Sequence, residues 1–296
     1  MIELTNLQYS FGKKELFKQE GSITLENGVN YLVGLNGSGK TTLFKLLLGL
    51  LPLQKGTILY DQMKPDEAIT EIGASFDTPR FYSYLSGLEN LQYFNSMMPN
   101  RLSKDALASL MKQWELPPDQ TPFRNYSFGM RKKLSIILSL LSNPKYWFLD
   151  EPFNGLDVDS KQKIYHEIKN FAHGGNTVLL SAHEIGQTLS LADHILLIYG
   201  KKIQYYPNIE RYRDLLTTFQ VCIPMEVTLP NVISKIPTLK REKSNEQTLC
   251  VASKYKMQLL WTLQQEKIPF SDECDADDSL KDIVERLEDL TCSKEK

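Results

Sequence analysis

The alternation of apolar and polar positions divides the chain into a long segment of interleaved strands and helices and a shorter one with a different rhythm. Ile2, Leu4 and Leu7 alternate with polar residues over 2–8, which predicts an edge strand, and Tyr9-Ser10-Phe11-Gly12 reads as the loop after it. Ser22–Glu26 predicts the next strand, and Asn27-Gly28 a hairpin turn into a short buried strand, Asn30-Tyr31-Leu32-Val33. An antiparallel piece is therefore expected first. Thr42–Gly49 has helical apolar spacing and stops at Gly49 and Pro52. Gly56–Asp61 predicts a strand and turn, and Ile72–Phe76 another strand. Two amphipathic helices follow over 86–97 and 103–114, N-capped by Ser86 and Ser103, and a longer one over 129–142 begins behind Ser127. Tyr146–Leu149 is a fully apolar strand run. It is followed by a helix over 158–172 and strands over Thr177–Ser181, Ile195–Tyr199 and Lys202–Tyr206. Composition shifts near 207–220. Beyond it, strands over Pro224–Leu229 and Gln247–Ala252 and helices over Lys256–Gln265 and Ser279–Leu290 predict a small α+β piece.

One stretch carries chemistry by itself. Gly34-Leu35-Asn36-Gly37-Ser38-Gly39-Lys40-Thr41-Thr42 fits G-x-x-x-x-G-K-[ST], the phosphate-binding loop of nucleotide triphosphatases, and it lies between a predicted strand and a predicted helix as that motif requires. Glycines let the loop Asn36-Gly37-Ser38-Gly39 turn tightly and aim its N–H groups inward, and the following helix adds its positive N-terminal end. Lys40 is expected to reach the β- and γ-phosphates, Thr41 to hold Mg²⁺, and Thr42 to donate to the α-phosphate. The bland alternative is a glycine turn that binds nothing. It is disfavoured by a full match in the right context.

Other residues converge on the same chemistry. Buried strands that end in acids present them at the carboxyl edge of a parallel sheet, where such folds bind ligands. Asp150 and Glu151 end the run Tyr146–Leu149, so Asp150 is a candidate Mg²⁺ ligand and Glu151 a candidate base for the attacking water. His183 follows Thr177–Ser181. A lone histidine is usually structural, but this position at a strand end makes it a candidate γ-phosphate sensor. Ser127 and Gly129 at a helix start form a second candidate anion point, with an ordinary capped helix as the alternative. Phe11 is a candidate to stack on a purine, with core packing as the alternative.

Composition narrows the setting. The net charge of −2 with 24% charged residues implies no polyanion-binding tail, so no nucleic-acid partner is expected. Met1–Thr5 shows no signal peptide, and no apolar run approaches the ~18–20 residues that span a bilayer. The richest stretches, around Leu46–Leu53 and Leu134–Leu141, are helix-length pieces of core, so any membrane role is expected to run through a partner. Cys222, Cys250, Cys274 and Cys292 lack C-x-x-C spacing and read as free thiols.

Together these marks resemble the nucleotide-binding subunits of ABC transporters over roughly residues 1–210. The resemblance makes Gly34–Thr42 the Walker A loop, Tyr126–Met130 the signature segment, Phe148–Glu151 Walker B with its catalytic glutamate, Asn154–Asp157 the D-loop and His183 the switch histidine. It implies an α/β fold of the P-loop ABC ATPase type, a mixed sheet with an antiparallel β-subdomain and a helical subdomain over about 78–142. Residues 211–296 resemble the small C-terminal α+β extension of exporter ATPases whose membrane subunit is a separate chain. Catalytic roles for Glu151, His183 and Lys40 follow from the resemblance, as do nucleotide contacts from Ser127, Gly129 and Asp157. So do ATP and Mg²⁺ as cofactors, a second ATPase subunit packed head to tail (a homo- or heterodimer), a transmembrane permease partner, and a cytoplasmic location at the inner face of the cell membrane. Phe81, Tyr82 and Tyr84 are candidates for the groove that receives a coupling helix, packing within the helical subdomain being the alternative. Two positions depart from the family: Phe128 and Met130 replace the usual Gly and Gln, and Asp77 stands at the Q-loop glutamine, where it is still a candidate metal ligand. A soluble ATP-driven module and a regulatory nucleotide sensor are the rival readings.

Overall fold

A computed structural model of the 296-residue chain describes residues 1–77, 80–182, 185–209, 218–224, 238–243, 246–252 and 256–270. The chain divides into two compact units, the first made of Met1–His183 and Leu191–Pro207, the second of Glu184–Ser190 and Asn208–Lys296. The first is built on ten strands: β1 (Ile2–Phe11), β2 (Lys14–Lys18), β3 (Ser22–Leu25), β4 (Gly28–Gly34), β5 (Lys55–Tyr60), β6 (Ile72–Ser75), β7 (Tyr146–Asp150), β8 (Thr177–Ser181), β9 (His194–Tyr199) and β10 (Lys202–Tyr206). Their order is β3-β1-β2-β10-β9-β4-β8-β7-β6, with β5 on β1. The run β9-β4-β8-β7-β6 is parallel, while β1 pairs antiparallel with β2, β3 and β5. Every residue of β7 and β8 is buried, which explains their unbroken apolar character.

Three expectations need correction. The strand at 2–8 is not an edge: it runs to Phe11 and pairs with three others. Alternation reports that one face is buried and says nothing of how many neighbours the backbone has. Tyr9–Phe11 is accordingly strand rather than loop, and β2 follows at once. Asn27-Gly28 is likewise not a hairpin turn, because β3 pairs with β1 whereas β4 joins β8 and β9. Gly28 has φ +111°, and its N–H is taken by Asn176 O at 2.9 Å, which starts the parallel ladder instead.

Helix α1 (Lys40–Leu47) buries Leu43, Phe44, Leu46 and Leu47 against the sheet. The Phe44 ring meets Phe148 of β7 edge-on, with centroids 6.0 Å apart. Burying such a side chain contributes roughly 1.5–3 kcal/mol. A helix end leaves its last carbonyls unpaired; here Tyr60 Oη donates to Leu47 O at 2.7 Å. The glycine loop is thus anchored at both ends, by β4 and by a helix seated on β7.

The helices α2 (Gly87–Asn95), α3 (Lys104–Gln113) and α4 (Phe128–Leu140) lie between β6 and β7 in sequence. Ser86 closes a capping box on α2: its Oγ accepts from Glu89 N at 3.2 Å, and Glu89 Oε2 accepts from Ser86 N at 2.7 Å. Helix α4 packs directly on β6. A Cβ at Gly73 would lie 2.0 Å from Ser139 O, so only glycine permits that approach, and the Ser75 and Ser135 hydroxyls meet at 2.8 Å. Helix α5 (Val158–His173) buries Ile164, Ile168 and Ala172, and α6 (Ile185–Leu191) precedes β9.

In the second unit, β11 (Thr218–Pro224), β12 (Thr238–Lys243) and β13 (Glu246–Ala252) form an antiparallel sheet in the order β11-β13-β12. Helix α7 (Lys256–Gln265) follows, and Val221, Ile223, Leu249, Leu259, Leu263 and Ile268 share a core. Residues 225–229 of one expected strand, the expected helix over 279–290, Cys274 and Cys292 lie outside the described residues. No described helix is long and apolar enough to cross a membrane.

Candidate nucleotide site

The carboxyl ends of β4, β6 and β7 converge on one cleft of about 460 Å³. From the glycine loop and α1 come Asn36, Gly37, Gly39, Lys40, Thr41 and Thr42; from the strand ends come Asp77, Asp150 and Glu151; Phe11, Lys14 and Leu16 line it from the antiparallel part. The loop shape is set by close contacts. A Cβ at Gly34 would sit 2.5 Å from Ser38 Oγ, and Gly39 has φ +109° with the Leu16 side chain 2.7 Å from where its Cβ would be. Ser38 Oγ is buried with no hydrogen-bond partner among the described residues. Such a hydroxyl is costly unless satisfied, and a phosphate oxygen in the loop would satisfy it.

Lys40 Nζ donates to Gly34 O at 2.7 Å and Leu35 O at 3.3 Å. Burial draws its pKa below the ordinary lysine range, while the Glu151 and Asp150 carboxylates pull it back up. Thr41 Oγ1 donates to Asp150 Oδ2 at 3.3 Å, and Ser181 Oγ donates to Asp150 Oδ1 at 2.7 Å. Asp150 and Ser181 are directly opposite in the β7–β8 register. The next residue, Glu151, is buried and has φ +50°. A non-glycine residue in that region carries a strain of order 1–3 kcal/mol, which clusters at functional sites. Its N–H is held by Ser181 Oγ at 3.1 Å and Ser181 O at 3.2 Å. Thr41 and Asp150 thus offer two adjacent hard oxygen donors, the ligand type Mg²⁺ takes alongside substrate phosphates.

Phe11 is 56% exposed, so it is not core; Tyr9 takes that role, with its ring edge-on to Phe11 at 5.2 Å. Ser127, Gly129 and Asp157 do not line the cleft. Ser127 is exposed at the start of α4, where its Oγ accepts from Met130 N at 3.2 Å. Asp157 caps α5, accepting from Ser160 N at 2.7 Å, and that bond holds its carboxyl below the usual range. His183 lies outside the described residues. Of the aromatics expected in the helical segment, Phe81 packs on Phe123 with centroids 4.9 Å apart, whereas Tyr82 and Tyr84 are exposed. Sequence reasoning missed Lys14 and Leu16, which arrive on the unforeseen β2, and Ser181, an ordinary strand residue until β7 pairs with it.

A glycine loop between β4 and α1, with acids ending β7 in the same parallel run, defines a phosphate-loop nucleotide triphosphatase. The family model described as ABC transporter matches residues 19–154. A lantibiotic transport ATP-binding protein, SrtF of Streptococcus pyogenes, is 32% identical over 205 residues, covering 69% of this chain and 89% of that protein. The bacitracin transport ATP-binding protein BcrA of Enterococcus faecalis is 31% identical over 204 residues, covering 64% and 66%. A solved ATP-binding subunit of an ABC transporter superposes with a TM-score of 0.65 at 22% identity, over 73% of this chain and 93% of that one. The chain belongs to the ABC transporter ATP-binding family: it is an ABC-type ATPase and an ATP-binding subunit of such a transporter.

Proposed function

We propose that this chain hydrolyses Mg·ATP in the cleft around Gly34–Thr42, that the site is completed by Ser127 and Gly129 of a second ATPase subunit, and that the cycle drives export through a separate membrane subunit. The observation that carries the proposal is the convergence of Lys40, Thr41, Asp150 and Glu151 on one cleft, from which Ser127 and Gly129 are absent. A helix start with an exposed serine, outside this chain's own cleft, suits the γ-phosphate of a facing subunit.

In this reading the loop N–H groups and Lys40 hold the β- and γ-phosphates, and Phe11 stacks on the base. Thr41 and Asp150 would hold Mg²⁺, with Asp77 beside them on the cleft wall; when bound, such an ion would supply positive charge against the phosphate oxygens. Glu151 accepts the proton of the water that attacks the γ-phosphorus, and ADP and phosphate leave. Asp157 and His183 keep their family roles, at the subunit interface and the γ-phosphate. The relatives named for lantibiotic and bacitracin transport favour export, with the chain at the inner face of the cell membrane and residues 211–296 as an accessory extension.

Replacing Glu151 by Gln tests the reading. Turnover is expected to fall about 10²–10⁴-fold, the usual contribution of a general base, while ATP binding persists and a dimer accumulates on a sizing column. Unchanged turnover would overturn the assignment. A sensor that hydrolyses little would show low turnover before the substitution as well.

A further inference from the structure

A lysine side chain with no exposed surface is rare, because burying an unpaired charge is expensive. Lys132, in the second turn of α4, is such a residue. Its Nζ donates to Asp77 O at 3.1 Å, Asp77 Oδ1 at 3.3 Å and Phe76 O at 3.4 Å. It also lies 6.0 Å over the Phe128 ring. The same Asp77 Oδ1 accepts from Asn154 Nδ2 at 3.4 Å, and the Phe128 ring packs so close to Gly155 that a Cβ there would be 2.4 Å away. The Lys132–Asp77 pair therefore joins three pieces: the helix that starts at Ser127, the segment leaving β6, and, through Asn154 on the Asp77 carboxylate, the turn after β7. Burial lowers the Lys132 pKa; the Asp77 carboxylate, and more weakly Asp150 and Glu151, raise it.

We propose that Lys132 is a positioning residue for the nucleotide site, holding the Asp77 carboxylate on the cleft wall and offsetting its charge. This rests on the reading above that the cleft binds Mg·ATP. The electrostatic reason is direct. Asp77, Asp150 and Glu151 all line the cleft, which has to accept a polyanion. A carboxylate bound to a buried ammonium repels phosphate far less than a free one. The α4 helix also starts at Ser127, so the same ion pair ties the cleft of one subunit to the surface that its own chain presents to a neighbour.

The test is a double-mutant cycle on the full chain, reading both ATP affinity by calorimetry with Mg²⁺ and the KM and kcat of hydrolysis. Lys132→Met leaves Asp77 uncompensated, and KM and Kd for ATP are expected to rise about tenfold, with kcat reduced less. In Lys132→Met/Asp77→Asn the repelling charge is gone, and affinity is expected to recover at least about threefold from that of Lys132→Met. Lys132→Arg keeps the charge, is expected to stay within about threefold of the native chain, and serves as the measurement if Lys132→Met does not fold. An unchanged KM and Kd in Lys132→Met overturns the inference, as does a double variant as poor as the single, or a Lys132→Arg chain that folds yet binds ATP more than tenfold weaker. A native chain that neither binds nor hydrolyses ATP would instead sink the underlying reading.

Discussion

Ser181→Ala removes one oxygen atom, and the structure says what that oxygen does. Ser181 is fully buried at the end of β8, and its hydroxyl donates to Asp150 Oδ1 at 2.7 Å while accepting the Glu151 N–H at 3.1 Å. Fixing Oδ1 turns Oδ2 toward Thr41, whose hydroxyl donates to it at 3.3 Å. A hydrogen bond to an ionised group contributes about 1.5–3 kcal/mol. The Glu151 N–H keeps Ser181 O at 3.2 Å after the change, so no backbone donor is orphaned and the cost stays near the middle of that range. About 2 kcal/mol is then available to be lost from fold stability, from metal binding, or from both. For a unit of this size that corresponds to a melting temperature lowered by about 4–8 °C if all of it falls on the fold. Part falling on the site appears as a higher Mg²⁺ requirement, up to about tenfold per 1.4 kcal/mol. The assay is ATP turnover against Mg²⁺ at saturating ATP, paired with thermal melts with and without Mg·ATP. If Ser181→Ala shifts neither the melt nor the Mg²⁺ requirement, the hydroxyl does not orient Asp150 and this account of the acidic strand end is wrong.

Gly73→Ala would force a methyl group into the 2.0 Å approach to Ser139 O, and overpacking of this kind costs about 1–3 kcal/mol or more; a melt indistinguishable from the native chain would contradict the seating of α4 on β6. Asp61 is buried enough to raise its pKa, but hydrogen bonds led by that of Lys145, with Tyr146 Oη at 2.7 Å among them, outweigh burial and hold its carboxyl well below 3.8. A depressed folded-state pKa contributes stability that is present above the unfolded value and lost as pH falls through the folded one. Asp61→Asn should therefore lower the melting temperature at neutral pH and flatten its fall below about pH 4; parallel curves for the two chains would refute the clamp.

The parts of the site that are contiguous in sequence were the legible ones. The loop 34–42 carries its own strand, turn and helix, and the acids at 150 and 151 follow an apolar run, so each can be read without knowing the neighbours. Ser181 could not be read that way, because its role comes from standing opposite Asp150 in the β7–β8 register. Lys132 was hidden differently. Arg131, Lys132 and Lys133 look like a solvated basic face, yet the packing of α4 on β6 through Gly73 carries Lys132 into the protein beside Asp77. The strand at Ile2–Phe11 shows the same limit: a register shift between Thr5 and Gln8, with Asn6 at φ +51°, moves the buried positions from Ile2 and Leu4 to Leu7 and Tyr9. Local patterns report burial, whereas pairing partners are set by residues tens of positions away.

A mixture of two inactive chains tests the shared site most directly. Lys40→Ala removes the phosphate-binding amine of one half-site, and Ser127→Arg blocks the other half. Neither chain alone is expected to hydrolyse ATP. If each site is built from the loop of one subunit and the helix start of the other, mixed dimers of this two-fold kind contain one intact site and one doubly damaged site. An equal mixture should then recover about a quarter of native turnover. A mixture of properly folded chains as inactive as its components would contradict the claim that two copies complete one site.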